Sequence, residues 1–397
     1  MQGLKRSYET VIVGGGIIGA AAAYFLARAG REVLIVERDV PAAGSSGACD
    51  GTIFIQSKPP GPKLAMGLRS ARLYGELSKE LKYDLGYKQQ GGMILMENQE
   101  EERILGEIVE KQRAGGANVS VIDGDEARRR QPGLSQCVTS ATWCPDDAHI
   151  NPIYATLGLL NSALDLGCEI VKHTEATGIE QKDGAVTAVF LRDLREGSER
   201  RVGAQNVINA AGIWAPHISA MAGLHTPIVP RKGEVLITEQ IEPFLTGVYL
   251  EARYIAIKHN PKLAEASGDP GLKKGVGLVI EQTEEGNILI GSSREFVGEN
   301  RNATWDVIEA ISRRALHFFP HLRQVSIIRS FAGLRPYTED GLPYVGRSKK
   351  VGGFIVAAGH EGDGIALAPE TGRCLAQLII EGACDTLADF SPDRLGG

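Results

Sequence analysis

The chain contains 397 residues, of which 43% are hydrophobic and 23% are charged, a composition typical of a globular enzyme with a large core. Its 43 Lys and Arg residues against 49 Asp and Glu residues give a net charge of −6. That balance excludes an overall positive field that would recruit nucleic acid or an anionic membrane surface. The six cysteines form no C-x-x-C pair, so we expect reduced thiols and no metal site.

A glycine-rich turn follows the first apolar strand. Residues 11–13 are β-branched, and the motif Gly14-x-Gly16-x-x-Gly19 follows them directly, ahead of an alanine-rich helix. In such a motif the first glycine makes the tight turn, the second lets a pyrophosphate approach the backbone, and the third lets the helix pack on the strand. A second apolar strand ends at Glu37, where an acidic side chain accepts the hydroxyls of an adenosine ribose. The unit predicts a site for FAD or NAD, and not for NADP.

The same stretch bears on location. Residues 11–23 are apolar but are interrupted by four glycines, and the stretch is too short for a membrane span. It also does not have the form of a signal peptide. We therefore expect a cytoplasmic protein.

The middle of the chain alternates helices with strand-rich blocks. Apolar periodicity predicts helices at 63–82, 98–117, 152–166 and 304–319 and strands or hairpins at 86–96, 169–171, 177–184, 204–208, 227–258 and 276–295. The last two blocks alternate in a way that is typical of a mixed sheet. Between them, residues 260–275 form a long connection that is either a solvated loop or a lid or partner-docking segment. In the docking alternative, the contacts to a partner would come from four lysines at or beside this segment: Lys258, Lys262, Lys273 and Lys274.

A second strand, glycine-rich turn and helix lie in the C-terminal part, at residues 353–358, 359–364 and 365–381. Two ligand-accommodating turns so far apart imply that the nucleotide domain is discontinuous and that the middle is inserted into it. We predict an α/β fold in which a discontinuous Rossmann-like nucleotide domain accompanies a mixed-sheet α+β substrate domain. The predicted bounds are 1–80, 145–225 and 330–397 for the first domain and 81–144 and 226–329 for the second.

Seven blocks spread over nearly the whole chain resemble a single family. They are residues 11–19 with Glu37, 44–48 (Gly-Ser-Ser-Gly-Ala), 209–215 (Asn-Ala-Ala-Gly-Ile-Trp-Ala), 231–234 (Arg-Lys-Gly-Glu), 291–295 (Gly-Ser-Ser-Arg-Glu), 332–343 and 359–365. In these blocks the chain resembles the D-amino-acid oxidase-like flavoenzymes, such as glycine oxidase and sarcosine oxidase. The last block, Gly-His-Glu-Gly-Asp-Gly-Ile, is most similar to the β subunits of hetero-oligomeric hydroxyproline, proline and opine dehydrogenases.

The resemblance implies a noncovalently bound FAD, which makes the first domain an FAD-binding domain. The pyrophosphate is expected over the first glycine turn, and the isoalloxazine ring beneath the last one. The implied FAD-binding residues are Gly14, Gly15, Gly16, Ile17, Ile18, Gly19, Glu37, Arg38, Ser45, Ser46, Gly47, Ala48, Cys49, Asp50, Ala176, Ala210, Ala211, Gly212, Trp214, Arg335, Gly359, His360, Glu361, Gly362, Asp363, Gly364 and Ile365. A covalent link of the kind found in some sarcosine oxidases is not expected, because residues 330–332 are Ser-Phe-Ala. FMN at an interface with a partner subunit is left open.

The residues implied for substrate are Arg335, Tyr254 and His360. In glycine oxidase-like members the arginine of the Gly-Leu-Arg-Pro block binds the substrate carboxylate, for which a guanidinium presents a fixed fork. Tyr254, in a predicted strand, either faces the substrate or belongs to the core. His360 either polarises the flavin or substrate amine or only stabilises its turn. Cys49 and Asp50 replace small or apolar residues near the ring in glycine oxidase, which leaves the substrate open.

The implied reaction is oxidation of a D- or secondary α-amino acid, of the D-hydroxyproline, proline or opine type, by hydride transfer to FAD. The chain is expected to act as the catalytic β subunit of a dehydrogenase with α, and in some cases γ, partner subunits that carry further redox centres. Such partners would place it at the inner face of a membrane. Three alternatives stay open: a stand-alone oxidase that reduces oxygen, a non-catalytic flavin-binding subunit, and a nicotinamide-dependent dehydrogenase.

Overall fold

The structure, a computed structural model, describes residues 3–259 and 269–394 and, of residues 256–259, the backbone only. The strands are β1 (Ser7–Val13), β2 (Val33–Val36), β3 (Thr52–Ile53), β4 (Lys88–Gln89), β5 (Gly92–Met96), β6 (Ser120–Asp123), β7 (Ser140–Cys144), β8 (Ala148–His149), β9 (Glu169–Val171), β10 (Thr174–Lys182), β11 (Ala185–Asp193), β12 (Glu199–Asn209), β13 (Val229–Gln240), β14 (Val248–Glu251), β15 (Val279–Gln282), β16 (Asn287–Gly291), β17 (Ile327–Tyr337), β18 (Tyr344–Arg347) and β19 (Phe354–Ala358). The helices are α1 (Ile17–Arg28), α2 (Pro62–Glu80), α3 (Gln99–Ala114), α4 (Gly124–Arg130), α5 (Pro152–Asp165), α6 (Ala215–Met221), α7 (Ala252–His259), α8 (Pro270–Lys273), α9 (Trp305–Phe318) and α10 (Gly364–Glu381).

The first sheet has the strand order β10-β11-β12-β1-β2-β9, and β19 and then β18 extend it from β12. β1 pairs in parallel with β12 and β2, and β19 pairs in parallel with β12. Val11 and Ile12 are fully buried, as expected for a parallel strand that is covered on both faces. Parallel pairing brings the carboxyl ends of β1, β2, β12 and β19 to one edge of the sheet, where ligands bind in open α/β sheets.

Helices α1, α2, α5 and α10 cover one face of this sheet. α1 packs between α5 and α10, and its residues Ala20–Ala23 are wholly buried. Small residues let the helices approach closely, because a Cβ placed on Gly372 of α10 would lie 2.6 Å from the backbone of Ala21. This tight packing fixes the start of α1 relative to that of α10.

The second sheet has the order β17-β13-β16-β15-β14-β5-β7-β6. All of its pairings are antiparallel except that of β14 with β5. Helix α9 packs on it through Val307, Ile311, Ala315 and Phe318, which follow helical spacing and are all buried. A third, small sheet has the order β3-β8-β4.

The mixed α/β architecture confirms the predicted fold class, and the four helices predicted in the middle of the chain are observed as α2, α3, α5 and α9. The prediction of a strand at Tyr254 is wrong: β14 ends at Glu251, and Tyr254 lies on α7. The Glu251 side chain, at the end of the strand, accepts from the Leu278 amide (2.8 Å) and from Arg314. A short apolar run does not by itself distinguish strand from helix.

Two other expectations concern boundaries. The predicted domain bound at residue 330 falls inside β17, which pairs with β13 in the second sheet on both sides of that residue. Of the long connection at 260–275, residues 260–268 lie outside the described residues, and the rest contains α8. No helix in the part of the chain that the structure describes is long and apolar enough to cross a membrane.

Candidate FAD and substrate site

A cavity of about 550 Å³ opens at the carboxyl ends of the parallel strands. Its walls include Val13 at the end of β1, Val36 at the end of β2 and Ala358 at the end of β19. The predicted residues that line it are Gly14, Gly16, Ile17, Ile18, Glu37, Arg38, Ser45, Ser46, Ala48, Cys49, Asp50, Ala176, Ala210, Ala211, Gly212, Trp214, Arg335, Gly359, His360, Glu361, Gly362, Gly364 and Ile365. The fold therefore brings together both glycine turns and the Arg335 strand.

Four of the residues predicted to bind FAD do not line the cavity: Gly15, Gly19, Gly47 and Asp363. A Cβ at Gly19 would overlap the Gly14 carbonyl, and one at Gly47 would overlap the Ala42 carbonyl. Gly15 donates its amide hydrogen to Glu37, and Asp363 is buried between two lysines. These residues shape the loops that carry the lining residues.

The first glycine turn leaves the start of α1 accessible to a ligand. Gly14 has φ +114°, and a Cβ there would lie 2.5 Å from the Ala210 carbonyl oxygen, so no other residue fits. Gly16 precedes α1 without a capping side chain of its own, which leaves the first-turn amides after that of Ile17 to an anion. Ser46 Oγ accepts from the Ile17 amide at 3.0 Å and holds the next loop against this turn.

Glu37 and Arg38 form the far end of the cavity. Glu37 Oε2 accepts from the Gly15 amide at 2.7 Å and Oε1 from the Asp39 amide at 2.8 Å. Each carboxylate oxygen has further lone pairs, so both can still accept from ribose hydroxyls. The Arg38 guanidinium lies 4.2 Å from the centre of the Trp214 ring, a stacking contact that fixes both side chains.

Buried polar contacts fix the C-terminal glycine-rich turn, residues 359–364, to the helices beside it. His360 Nε2 lies 3.2 Å from Thr371 Oγ1 on α10. Burial, aided by the charge of Lys63, lowers the pKa of His360 to about 3, so its ring is neutral. Asp363 contacts Lys58 and Lys63 at 2.7 Å each. Of the two roles predicted for His360, these contacts favour stabilisation of the turn.

Arg335 extends from β17 into the opposite end of the cavity. Its Nη1 donates to the Ser293 carbonyl at 2.8 Å, and its Nη2 donates to Ser292 Oγ at 2.6 Å. The guanidinium lies flat against Gly233 of β13, where any Cβ would overlap it. Three of its five N–H donors remain for a ligand, and the plane is fixed from two sides.

A second, smaller cavity of about 40 Å³ adjoins the Arg335 end. Tyr254 lines this cavity and not the larger one, and the Arg294 guanidinium lies 3.8 Å from the centre of its ring. Asp50 and Arg335 line both cavities, so the two spaces meet at these residues. Tyr254 is thus both largely buried and at the side of the site where a substrate would lie.

Cys49 and Asp50 introduce a thiol and a carboxyl group beside the Arg335 end of the cavity. Burial, together with the charge of Glu281, raises the pKa of Asp50, and burial and Asp50 raise that of the Cys49 thiol. Asp50 Oδ1 accepts from Thr52 Oγ1 at 2.8 Å. Behind them, Glu281 accepts from the Gly51 amide at 2.7 Å and lies 3.1 Å from His149 Nδ1.

Among the lining residues that the sequence did not predict, three contact predicted site residues. Gly233 supports Arg335, Arg294 faces the smaller cavity, and Arg301 lies 5.7 Å from the Trp214 ring at the larger one. Gly233 and Arg294 belong to two of the blocks that carry the family resemblance, at 231–234 and 291–295. These two blocks were the sequence signal that could have identified both residues. Which residues of each block face the cavity follows only from the register of the strands.

Comparison with family models decides the family. Residues 9–378 match the family DAO, described as FAD dependent oxidoreductase. The chain belongs to this family. The match covers nearly the whole chain and confirms the resemblance to D-amino-acid oxidase-like flavoenzymes, together with the expected fold and enzyme class.

Individual relatives agree with this assignment. The chain is 27% identical over 385 residues to glycine oxidase of Bacillus licheniformis, in an alignment that covers 95% of this chain and 94% of the relative. It is 26% identical over 397 residues to a subunit of the opine oxidase of Rhizobium meliloti, with 97% of each chain covered. Among solved structures, L-proline dehydrogenase from P. horikoshii superimposes with a TM-score of 0.87 at 27% identity, over 99% of this chain and 98% of that one.

The residues present fit FAD. The larger cavity begins at the start of α1 and the Glu37 carboxylate, and it continues to the C-terminal turn more than 300 residues away in sequence. Its volume lies within the range of small-molecule and cofactor sites. A dinucleotide with a ring at its far end matches this arrangement.

Proposed function

We propose that this protein oxidises the C–N bond of a D- or secondary α-amino acid with FAD as the hydride acceptor. The observation that carries the proposal is the fixed guanidinium of Arg335 at the end of the FAD-binding cavity opposite Glu37. It also argues against a non-catalytic flavin-binding protein, which needs no such group. The names of the relatives support an amino-acid substrate.

The residues divide the work along the cavity. Residues 14–19 would hold the pyrophosphate, Glu37 the ribose, and residues 359–365 would cover the ring. The chemistry that FAD supplies when bound is acceptance of a hydride from the carbon beside the amine nitrogen. Arg335 would bind the substrate carboxylate bidentately and so orient that carbon.

The charges around the site also act on the substrate amine. A substrate amine must be neutral to release a hydride from its neighbouring carbon and become an imine, which water then hydrolyses. Arg335 and Arg294 are nearby cations in a desolvated site, and cations lower the pKa of an ammonium group. The site therefore favours the reactive neutral amine.

We further propose that the chain works with partner subunits that take up its electrons. The opine oxidase relative, which is of nearly equal length, is by its name one subunit of a larger enzyme. An FMN at a subunit interface, a D-hydroxyproline or opine substrate, and attachment to the inner face of a membrane through partners belong to the same proposal. Docking through residues 260–275 stays a prediction; within the described part, Lys274 already forms an ion pair with Asp306.

A stand-alone oxidase is the second candidate. It is favoured by the likeness to glycine oxidase, which extends over 94% of that relative. To separate the two, the chain is purified alone and supplied with D-proline, D-hydroxyproline, sarcosine, glycine and opines, and hydrogen peroxide is measured against reduction of an artificial dye. We expect dye reduction with little peroxide. Vigorous peroxide formation would overturn the dehydrogenase-subunit proposal and support the oxidase.

A further inference from the structure

Three arginines lie close to one another, and two of them line the smaller cavity. Arg231 of β13 stands opposite Arg335 of β17 in the strand register, and Arg294 follows β16, the strand on the other side of β13. Arg294 and Arg335 both line the smaller cavity. We call Arg231, Arg294 and Arg335 the arginine cluster.

The carboxylates around the arginine cluster do not balance it. Glu361 pairs with Arg231, and Asp363 pairs with Lys58 and Lys63. The remaining carboxylate of the smaller cavity is Asp50, whose pKa burial raises. Neither Arg294 nor Arg335 has a carboxylate oxygen within 4 Å among the described residues. Two half-buried guanidinium groups thus face one space without an ion-pair partner from the described chain.

The Arg294 guanidinium is fixed in position, but only some of its N–H groups donate hydrogen bonds to described residues. Its Nη1 donates to the Tyr254 carbonyl at 3.0 Å, and its guanidinium stacks on the Tyr254 ring. Its Nε is buried and has no hydrogen-bond partner among the described residues. Burial, together with the charges of Arg231 and Arg335, lowers the pKa of Arg294. A buried cation without a partner is costly unless a ligand supplies the opposite charge.

A single substrate carboxylate carries one negative charge and therefore leaves one of the two positive charges, on Arg294 and Arg335, unbalanced. Arg335 is the better placed for the α-carboxylate, because it also lines the larger cavity where the ring of FAD would lie. Arg294 lines the smaller cavity alone, beyond Tyr254. We propose that Arg294 binds a second carboxylate of the substrate, so that the preferred substrate is a dicarboxylic amino acid.

The inference deepens the proposed function and rests on it. The second carboxylate could be carried on the substituent of a secondary amine or on the side chain of an α-amino acid. These two sources share the chemistry that Arg294 recognises, and matched substrate pairs distinguish them. Iminodiacetate differs from sarcosine by one carboxylate on the nitrogen substituent, and D-glutamate differs from D-norvaline by one on the side chain.

The test compares kcat/KM for each pair in the FAD-loaded protein, by reduction of an artificial dye. We expect the dicarboxylic member of at least one pair to be preferred about 30-fold or more, as for a buried charge-assisted contact. In Arg294→Met that ratio falls to about 3-fold or less, whereas Arg294→Lys, which keeps the charge, retains most of it. Arg253→Met, on α7 with its side chain bonded to Asp269, keeps the full ratio. A wild-type ratio near one in both pairs, with oxidation of the monocarboxylic members, overturns the inference and leaves the proposed function standing.

A binding measurement separates failure of the inference from failure of the proposed function. If no amino acid is oxidised, the flavin absorbance is titrated with glutarate and with butyrate, which cannot react. Tighter binding of glutarate by about tenfold or more, lost in Arg294→Met, supports the second-carboxylate site although the proposed function fails. Equal binding of the two acids overturns the inference as well.

Discussion

At the scale of single residues, the side chains that line the site depend on neighbouring residues that fix their positions. Arg335 can bind a carboxylate only because Ser292 and Ser293 take two of its donors and Gly233 leaves room for its plane. His360 is held neutral against Thr371 below the C-terminal turn. Neither Gly233 nor Thr371 is a group that reacts, yet each fixes one that lines the cavity.

Gly233→Ala tests the support of Arg335. The added Cβ overlaps the guanidinium, which must move away from the position that its serine contacts define. We expect KM for any carboxylate substrate to rise about tenfold or more, with FAD content unchanged, because small displacements of positioning groups are costly. Gly106→Ala is the control, since a Cβ there meets open space. An unaltered KM in Gly233→Ala would contradict the described packing.

His360→Gln tests the neutral state of the buried ring. In the unfolded chain this histidine takes up a proton as the pH falls through about 6.5, whereas in the folded protein it stays neutral down to about 3. Between these two pH values the unfolded state binds more protons than the folded state. The free energy of unfolding therefore decreases as the pH is lowered. From pH 7 to pH 4.5 this group accounts for a loss of about 2.5 kcal/mol.

The glutamine variant cannot take up that proton, so its stability should depend less on pH by about the same amount. Urea denaturation at pH 7 and pH 4.5 measures the difference. His225→Gln, at an exposed position, should keep the wild-type dependence. Equal pH dependence in His360→Gln and the wild type would show that the ring is not held neutral.

At the scale of elements, sequence patterns predicted correctly the strands, turns and helices that neighbouring residues determine. The glycine turn after β1, the acid after β2 and the helix α10 were predictable because strand, turn and helix are adjacent in sequence. Helix α7 was not, because residues 252–255 continue the apolar pattern of β14 while the strand pairing ends at Glu251. Arg294 was missed as a site residue because its position follows from the pairing of β13, β16 and β17, which lie far apart in sequence.

Gly372→Ala tests the contact of α1 with α10, which aligns the two helix starts at the cavity. The new Cβ would lie 2.6 Å from the backbone of Ala21, and neither helix can relieve this by a rotamer change. We expect a loss of about 2 kcal/mol in the free energy of unfolding, as for overpacking in a core. The control is Gly75→Ala, the same substitution within helix α2. A Cβ at Gly75 makes an ordinary contact with Tyr87 Oη at 3.8 Å. Gly75→Ala should not destabilise, and equal losses in the two variants would show that the two helices are not in tight contact there.

At the scale of the whole molecule, the site is formed by two sheets that meet at one cavity. The first sheet supplies both glycine turns and Glu37, and the second supplies Arg335 on β17 and Gly233 on β13. Ser45 joins them, since its hydroxyl donates to the Leu334 carbonyl on β17. We infer that the nucleotide-binding sheet holds the length of the cofactor and that the second sheet selects what is brought to its reactive end.

The measurement that tests the central claim most directly is the anaerobic absorbance of the flavin in the purified protein during addition of amino acids. The series includes D-proline, D-hydroxyproline, sarcosine, glycine, opines and the dicarboxylic acids above. We expect at least one of them to bleach the oxidised-flavin bands, and Arg335→Leu to require about 100-fold more of the same substrate, as for loss of a charge-paired contact. The claim is contradicted if the flavin stays oxidised with every amino acid, or if Arg335→Leu is bleached at the wild-type concentration.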